Sequence, residues 1–303
     1  MASDVQSVPD VSVRWRAQVV LALLTIYIVW GSTYLAIKIG VQSLPPFLFG
    51  GARFALAGAI LFLFLILKGV KFPSKAEWKG SAIVGFLLLV SGNGGVIFAE
   101  RSVASGLTAL ALATTPLWAA VFAVLFGTRP VLREWLGLLI GFAGIVLLNL
   151  DHGLRANPAG AIMLSVSSVS WALGTVLSGR VALPMGLMAS AAQMLCAGTA
   201  LLAISLCRGE SWHISQSGPA FWALVYLIVF GSLIGYSAYS FLVRNVRTAL
   251  ATTNAYVNPP VAVVLGAAFG GESISTTEII AAVIILTGVA IVMSARDAKR
   301  SAA

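Results

Sequence analysis

Apolar residues run through this chain in ten long stretches, at positions 17–38, 46–67, 79–98, 102–126, 131–150, 158–179, 185–207, 219–242, 247–270 and 276–295, with short polar joints between them. A helix needs roughly 20 apolar residues to cross a hydrocarbon core about 30 Å thick. Period-two alternation is absent, and open strands would leave unpaired backbone groups in lipid, so the stretches predict membrane-spanning helices. Pro45, Pro46, Pro130, Pro158, Pro184 and Pro219 fall at or beside a predicted helix start, where a missing N–H does no harm. Pro116, Pro259 and Pro260 fall inside spans. There Pro116 and Pro259 each remove a backbone hydrogen bond and predict kinks, either static bends or the paired hinges of a gate.

Composition excludes a soluble protein. Of the 303 residues 59% are hydrophobic and 10% charged, against about 25% charged in an ordinary soluble domain. The net charge of +9 is scattered singly or in small groups over joints and tails, which reads as a topology signal and implies no nucleic-acid partner. Counted by alternate sides, fourteen Lys and Arg fall on one side and four (Lys38, Arg101, Arg155 and Arg208) on the other, with Arg53 inside a span. That bias predicts both termini in the cytoplasm. The first 16 residues are polar and lack the apolar core of a cleavable signal peptide, so the first span is expected to stay as an anchor. Cys196 and Cys207 are eleven residues apart in one predicted helix, about 16 Å along its axis, which is too far to bridge.

An internal repeat organises the chain. Sliding it by 143 residues sets 92–127 against 235–270 and matches Gly92 with Gly235, Phe98 with Phe241, Arg101 with Arg244, Pro116 with Pro259 and Phe126 with Phe269, within nine identities in 36 positions. Trp30 and Trp171 match at a similar offset. Each half then holds five spans, and a second copy that follows an odd number of crossings enters from the opposite side, giving inverted repeats. The expected division is a cytoplasmic tail at 1–16, five-helix repeats at 17–151 and 152–296, and a second cytoplasmic tail at 297–303. Such a fold is an all-α membrane protein of ten helices around a central cavity, and it implies alternating access to a midplane site.

Five segments in order carry a resemblance. They are Trp30-Gly31-Ser32-Thr33-Tyr34, Gly51-Ala52-Arg53-Phe54, Ala113-Thr114-Thr115-Pro116, the glycines Gly137, Gly141 and Gly144, and Asn258-Pro259-Pro260. With these, the chain from about 17 to 295 resembles the drug/metabolite transporter superfamily and its ten-span bacterial EamA-type members. Within it the likeness is greatest to inner-membrane exporters of amino acids and metabolites. The resemblance implies a cavity walled by helices of both halves, with the last helix of each half packed behind.

Polar and aromatic residues within the spans are the candidate substrate-binding groups. Asn254 and Asn258 are four apart and share a helix face, as do Tyr236 and Tyr239 with Ser240. In the repeat alignment Asn93 stands opposite Tyr236, and Thr115 opposite Asn258. A buried amide in lipid must find partners, which means either another helix or a substrate. Trp30 and Trp171 lie away from the interfacial belt and can wall an apolar side chain or pack a core; Tyr34 and Phe98 are further aromatic candidates. Arg53 is the clearest charge inside a span. It can clamp a carboxylate, or it can snorkel to the outer surface. Gly137, Gly141 and Gly144 recur at helical spacing and predict close helix packing. Glu100 and Arg101 are read as an ion pair at the membrane boundary.

Several function classes are disfavoured. No acid or His lies deep in a span, which leaves no proton relay of the kind pumps place within the membrane. Movement driven by the substrate's own gradient is therefore expected. No HExxH or CxxC motif occurs, and no nucleophile has a base beside it, so an enzyme, a metal and a cofactor are not expected. The expected partners are a small-molecule substrate, an amino acid or related metabolite, and the lipid bilayer. A multidrug or other metabolite efflux antiporter is the alternative, with a channel behind it.

Overall fold

The computed structural model describes residues 11–99, 108, 111–128, 130–149, 158–211, 218–270 and 275–295. Glu100, Arg101, His152, His213, residues 1–10 and the C-terminal tail lie outside them, and so does the boundary ion pair expected at Glu100 and Arg101; residues 11–16 of the expected N-terminal tail begin α1. Among the described residues every regular element is helical. In chain order these are α1 (Val11–Ser43), α2 (Pro46–Leu67), α3 (Lys75–Ala99), α4 (Thr115–Leu125), α5 (Leu132–Asn149), α6 (Pro158–Leu177), α7 (Leu187–Cys207), α8 (Pro219–Asn245), α9 (Asn254–Gly270) and α10 (Thr276–Ser294). Six of them, α1, α2, α3, α7, α8 and α10, are long and apolar enough to cross a membrane.

Each helix has an apolar outer face and a mixed inner one. On α1, Leu21, Ile28 and Leu35 recur every seventh residue and are 66%, 59% and 64% exposed, whereas Ile26, Trp30, Thr33 and Ile37 on the opposite stripe are buried. Leu63, Phe64 and Leu67 on α2, and Ile279, Val283 and Leu286 on α10, are likewise turned outward. Large aliphatic groups facing out while Arg53, Gln193 and Asn258 are buried reverse the arrangement of a soluble domain. This is a multi-pass membrane protein.

The most extensive packing joins helices that correspond in the two repeats, α2 with α7 and α5 with α10. Glycines allow it. A Cβ on Gly198 would sit 2.3 Å from the Ala55 backbone nitrogen, and one on Gly58 would sit 2.7 Å from that of Leu195. In the second pair a Cβ on Gly288 would lie 2.5 Å from Gly141 N, and one on Gly144 would meet Ile285. Gly137 and Gly141 thus act in close helix packing, as their spacing predicts, although Gly141 also receives the Tyr256 ring of α9. The remaining contacts are reciprocal: α1 lies against α8 and α9, while α6 lies against α3 and α4.

Two local departures from uninterrupted α-helix bear on function. Both α3 and α8 contain a π-helical segment, Phe86–Asn93 and Leu227–Tyr236, at positions that the 143-residue offset brings together. Both fourth helices are broken as well. The chain turns at 113–114 before α4 begins, so Pro116 occupies a first turn, where it interrupts no hydrogen bond, rather than kinking a continuous span. The one-turn helix Thr248–Ala251 is followed by a turn at Thr252 and Thr253 before α9, in which Pro259 and Pro260 are interior. Cys196 and Cys207 are free thiols.

Candidate functional site

The discontinuities meet at a chamber whose envelope, open mouth and adjoining solvent included, is about 760 Å³. Helices from both halves wall it: α1 contributes Trp30, Thr33 and Tyr34, α3 contributes Gly92 and Asn93, α6 contributes Ser167 and Trp171, and α8 contributes Gly231 and Tyr236. The starts of the two broken helices face it too, with Thr115 from α4 and Asn254 and Asn258 from α9.

The aromatic part of the wall crosses between the halves. Trp30 and Trp171 meet edge to face with centroids 5.5 Å apart. Each lies over the glycine of the opposite half's π-helical segment: a Cβ on Gly235 would fall 2.5 Å from Trp30 Nε1, and one on Gly92 would fall 2.8 Å from the Trp171 ring. Trp30 Nε1 donates to the Gly231 carbonyl at 3.0 Å, and Trp171 Nε1 donates to the Tyr239 hydroxyl at 2.8 Å.

Arg53 does not snorkel. It is 2% exposed and lines the chamber. Its Nε donates to Ser232 Oγ at 2.8 Å, its guanidinium lies 4.8 Å from the Phe54 ring centroid, and its Nη1 is buried without a partner. Gly231 makes room for the group, because a Cβ there would lie 2.7 Å from Nη2. The carbonyl oxygens of the Asn93 and Asn258 side chains are also buried without partners. Three residues of the chamber wall thus carry a buried polar atom with no partner, one cationic donor and two amide oxygens, and such groups are costly to leave unmet.

Nine of the eleven residues singled out from the sequence line this space; Phe98 and Tyr239 do not. Phe98 stacks on Phe47 at 6.0 Å. Tyr239 is fully buried behind the wall, bonded to Trp171 and to Thr175 Oγ1 at 2.6 Å. It borders a second, smaller void of about 220 Å³, and Tyr236 belongs to the walls of both spaces. The Tyr236 hydroxyl donates to Gln193 Oε1 at 2.5 Å. Sequence reasoning missed Thr33, Ser167, Gln193 and the pair Gly231 and Ser232. Gln193 carried the signal used for the asparagines, an amide within a span, whereas Ser232 matters only because the fold brings α8 to Arg53.

Elsewhere the two halves are tied by arginines. Arg247 donates to Glu134 Oε2 at 2.6 Å, with the Glu134 side chain 3% exposed. Arg180 Nη2 donates to the Phe126 carbonyl and to Thr128 Oγ1, both at 3.0 Å. Tyr27 and Thr253 join their hydroxyls at 2.7 Å between α1 and the turn before α9.

Helices with apolar outer faces around an internal chamber shared by two repeated halves define a multi-pass membrane protein with a cavity between its halves. The chain belongs to the EamA-like transporter family, which matches residues 17–150 and again 158–294, so two family repeats make up the protein. It is 46% identical over 272 residues, 89% of both chains, to the uncharacterized inner membrane transporter YedA of Escherichia coli K12. It is 24% identical over 291 residues, 95% of both chains, to the uncharacterized transporter YvbV of Bacillus subtilis 168. A solved structure described only as the crystal structure of a protein shares the fold, with a TM-score of 0.74 at 21% identity over 90% of this chain and 96% of that one.

Proposed function

We propose that this protein is an inner-membrane exporter of amino acids or closely related metabolites, working by alternating access. The observation that carries the substrate class is the set of unmet polar groups in the chamber. Arg53 Nη1 suits a carboxylate, and the side-chain oxygens of Asn93 and Asn258 suit an ammonium group. Trp30 and Trp171 wall the space for a variable side chain, with Tyr34, Thr115, Tyr236 and Asn254 around it. Phe98 and Tyr239 act from outside the chamber, Tyr239 by holding Trp171 in place.

In this reading the halves are inverted five-helix repeats, about 17–151 and 152–296, of a ten-helix fold. Both termini are cytoplasmic, as the charge bias implies, and the membrane is the inner one, as for YedA. The chamber then opens outward, since it extends toward Ile37 on α1 and Val96 on α3, while Tyr236, Tyr239 and the arginine ties close the cytoplasmic side. Pro116 and Pro259 stand at the broken fourth helices, where hinge motion is least opposed. Transport follows the substrate's gradient, because Arg53 is the titratable residue of the chamber wall other than tyrosine.

The test is counterflow in proteoliposomes loaded with unlabelled amino acid and challenged with labelled phenylalanine and labelled alanine. Saturable, counter-stimulated uptake is expected. Uptake that rises linearly with concentration and ignores the internal amino acid would point to a channel, and concentrative uptake driven by an imposed pH gradient alone would restore the antiporter alternative.

A further inference from the structure

Arg53 is a buried cation that has no counter-ion among the described residues. Among them it bonds to the neutral hydroxyl of Ser232. One face is covered by Phe54, and Nη1 is sealed from solvent with no acceptor. Among the described residues the ion pair is Arg247 with Glu134, in another part of the fold. A charge removed from water persists only when something compensates it. A substrate carboxylate does so while it is bound, but a carrier spends part of every cycle without substrate.

We infer that a small inorganic anion of the chloride class occupies the chamber at Arg53 whenever a carboxylate is absent, so that the two compete for one site. The site is built for a compact ligand. Ser232 is fully buried and holds Nε of the guanidinium, Nη1 has no partner, and Arg53 belongs to the chamber wall. Gly231 contributes no side chain there, which leaves room beside Nη2. The competition rests on the amino-acid reading above; the anion site itself rests on Arg53 alone.

Two measurements on the purified full chain test this. In the first, thermal unfolding is followed without amino acid while chloride replaces the bulky sulfonate of morpholinoethanesulfonate at constant ionic strength. The wild type is expected to gain Tm saturably with chloride, Arg53→Gln to show no chloride dependence, and Ser232→Ala to respond only at higher chloride. In the second, the apparent Kd of a labelled amino acid for the wild type should rise in proportion to chloride. A wild-type Tm indifferent to the exchange, or an equal rise in Arg53→Gln, overturns the inference. If Arg53→Gln does not fold, the wild-type competition decides, and a Kd independent of chloride overturns it. A chloride response that depends on Arg53, with no amino-acid binding, leaves the anion site standing and removes the amino-acid reading. Amino-acid binding without any chloride effect does the reverse.

Discussion

A single missing methyl group governs how Arg53 is presented. A Cβ at Gly231 would sit 2.7 Å from Nη2, so Gly231→Ala pushes the guanidinium off the chamber edge while leaving its charge buried. Loss of one charge-assisted hydrogen bond weakens carboxylate binding by about tenfold or more, measured as the Kd of a labelled amino acid. Asn258→Ala removes a neutral acceptor and is expected to weaken the same ligand by about 3- to 10-fold. An amino acid lacking its α-amino group should lose nothing further on that variant. Equal losses for both ligands would mean that Asn258 packs the wall and does not touch the amine. At this scale the sequence was informative where a residue type is anomalous for lipid: Arg53, Asn93, Asn254 and Asn258 stand out in apolar runs, and all line the chamber. Phe98 and Tyr239 do not line the chamber, and an aromatic ring in a membrane helix fits packing as readily as a cavity wall. Only the fold separates the two roles.

At the scale of the helix, the glycines set how close neighbours approach. The α5 and α10 backbones touch where Gly288 meets Gly141. Gly288→Val forces the pair apart and should destabilise the protein by about 1–3 kcal/mol, read as a lower Tm in detergent; Gly69→Ala serves as a control, since nothing lies within 4 Å of its added Cβ, although its positive φ carries a small strain of its own. An unchanged Tm in Gly288→Val would remove the close pair. Helix positions were legible because apolar runs and prolines mark them with little ambiguity. The π-helical segments were not, since Phe86–Asn93 and Leu227–Tyr236 read as ordinary apolar helix; in the fold the tryptophans pack over Gly92 and Gly235 within them. The breaks at 113–114 and 252–253 were anticipated only as kinks at Pro116 and Pro259, because proline marks the region of a break without fixing its residue.

Across the whole molecule, the proposed alternating access has the arginine ties and the two tyrosines close the cytoplasmic side of the chamber. Ser240 lines the small void behind them. In a background with Cys196 and Cys207 replaced by Ala, Ser240→Cys should react slowly with a membrane-impermeant thiol reagent applied from the cytoplasmic face, and several-fold faster once Arg247→Gln breaks the tie to Glu134. Equal rates would mean that the pair does not hold this side shut. The repeat itself was readable from 143-residue periodicity, whereas its pairing scheme was not, because sequence identity says which helices correspond and nothing about which ones touch.

That scheme has a consequence for how the protein assembles. Since α2 lies against α7 and α5 against α10, each family repeat made alone should expose its glycine seams to lipid with no partner for them. Either piece expressed singly should be degraded, while the two produced as separate polypeptides from a cut within 150–157 should find each other in the bilayer and recover binding. Complementation by fragments would thus reveal a protein that is covalently one chain but physically a dimer.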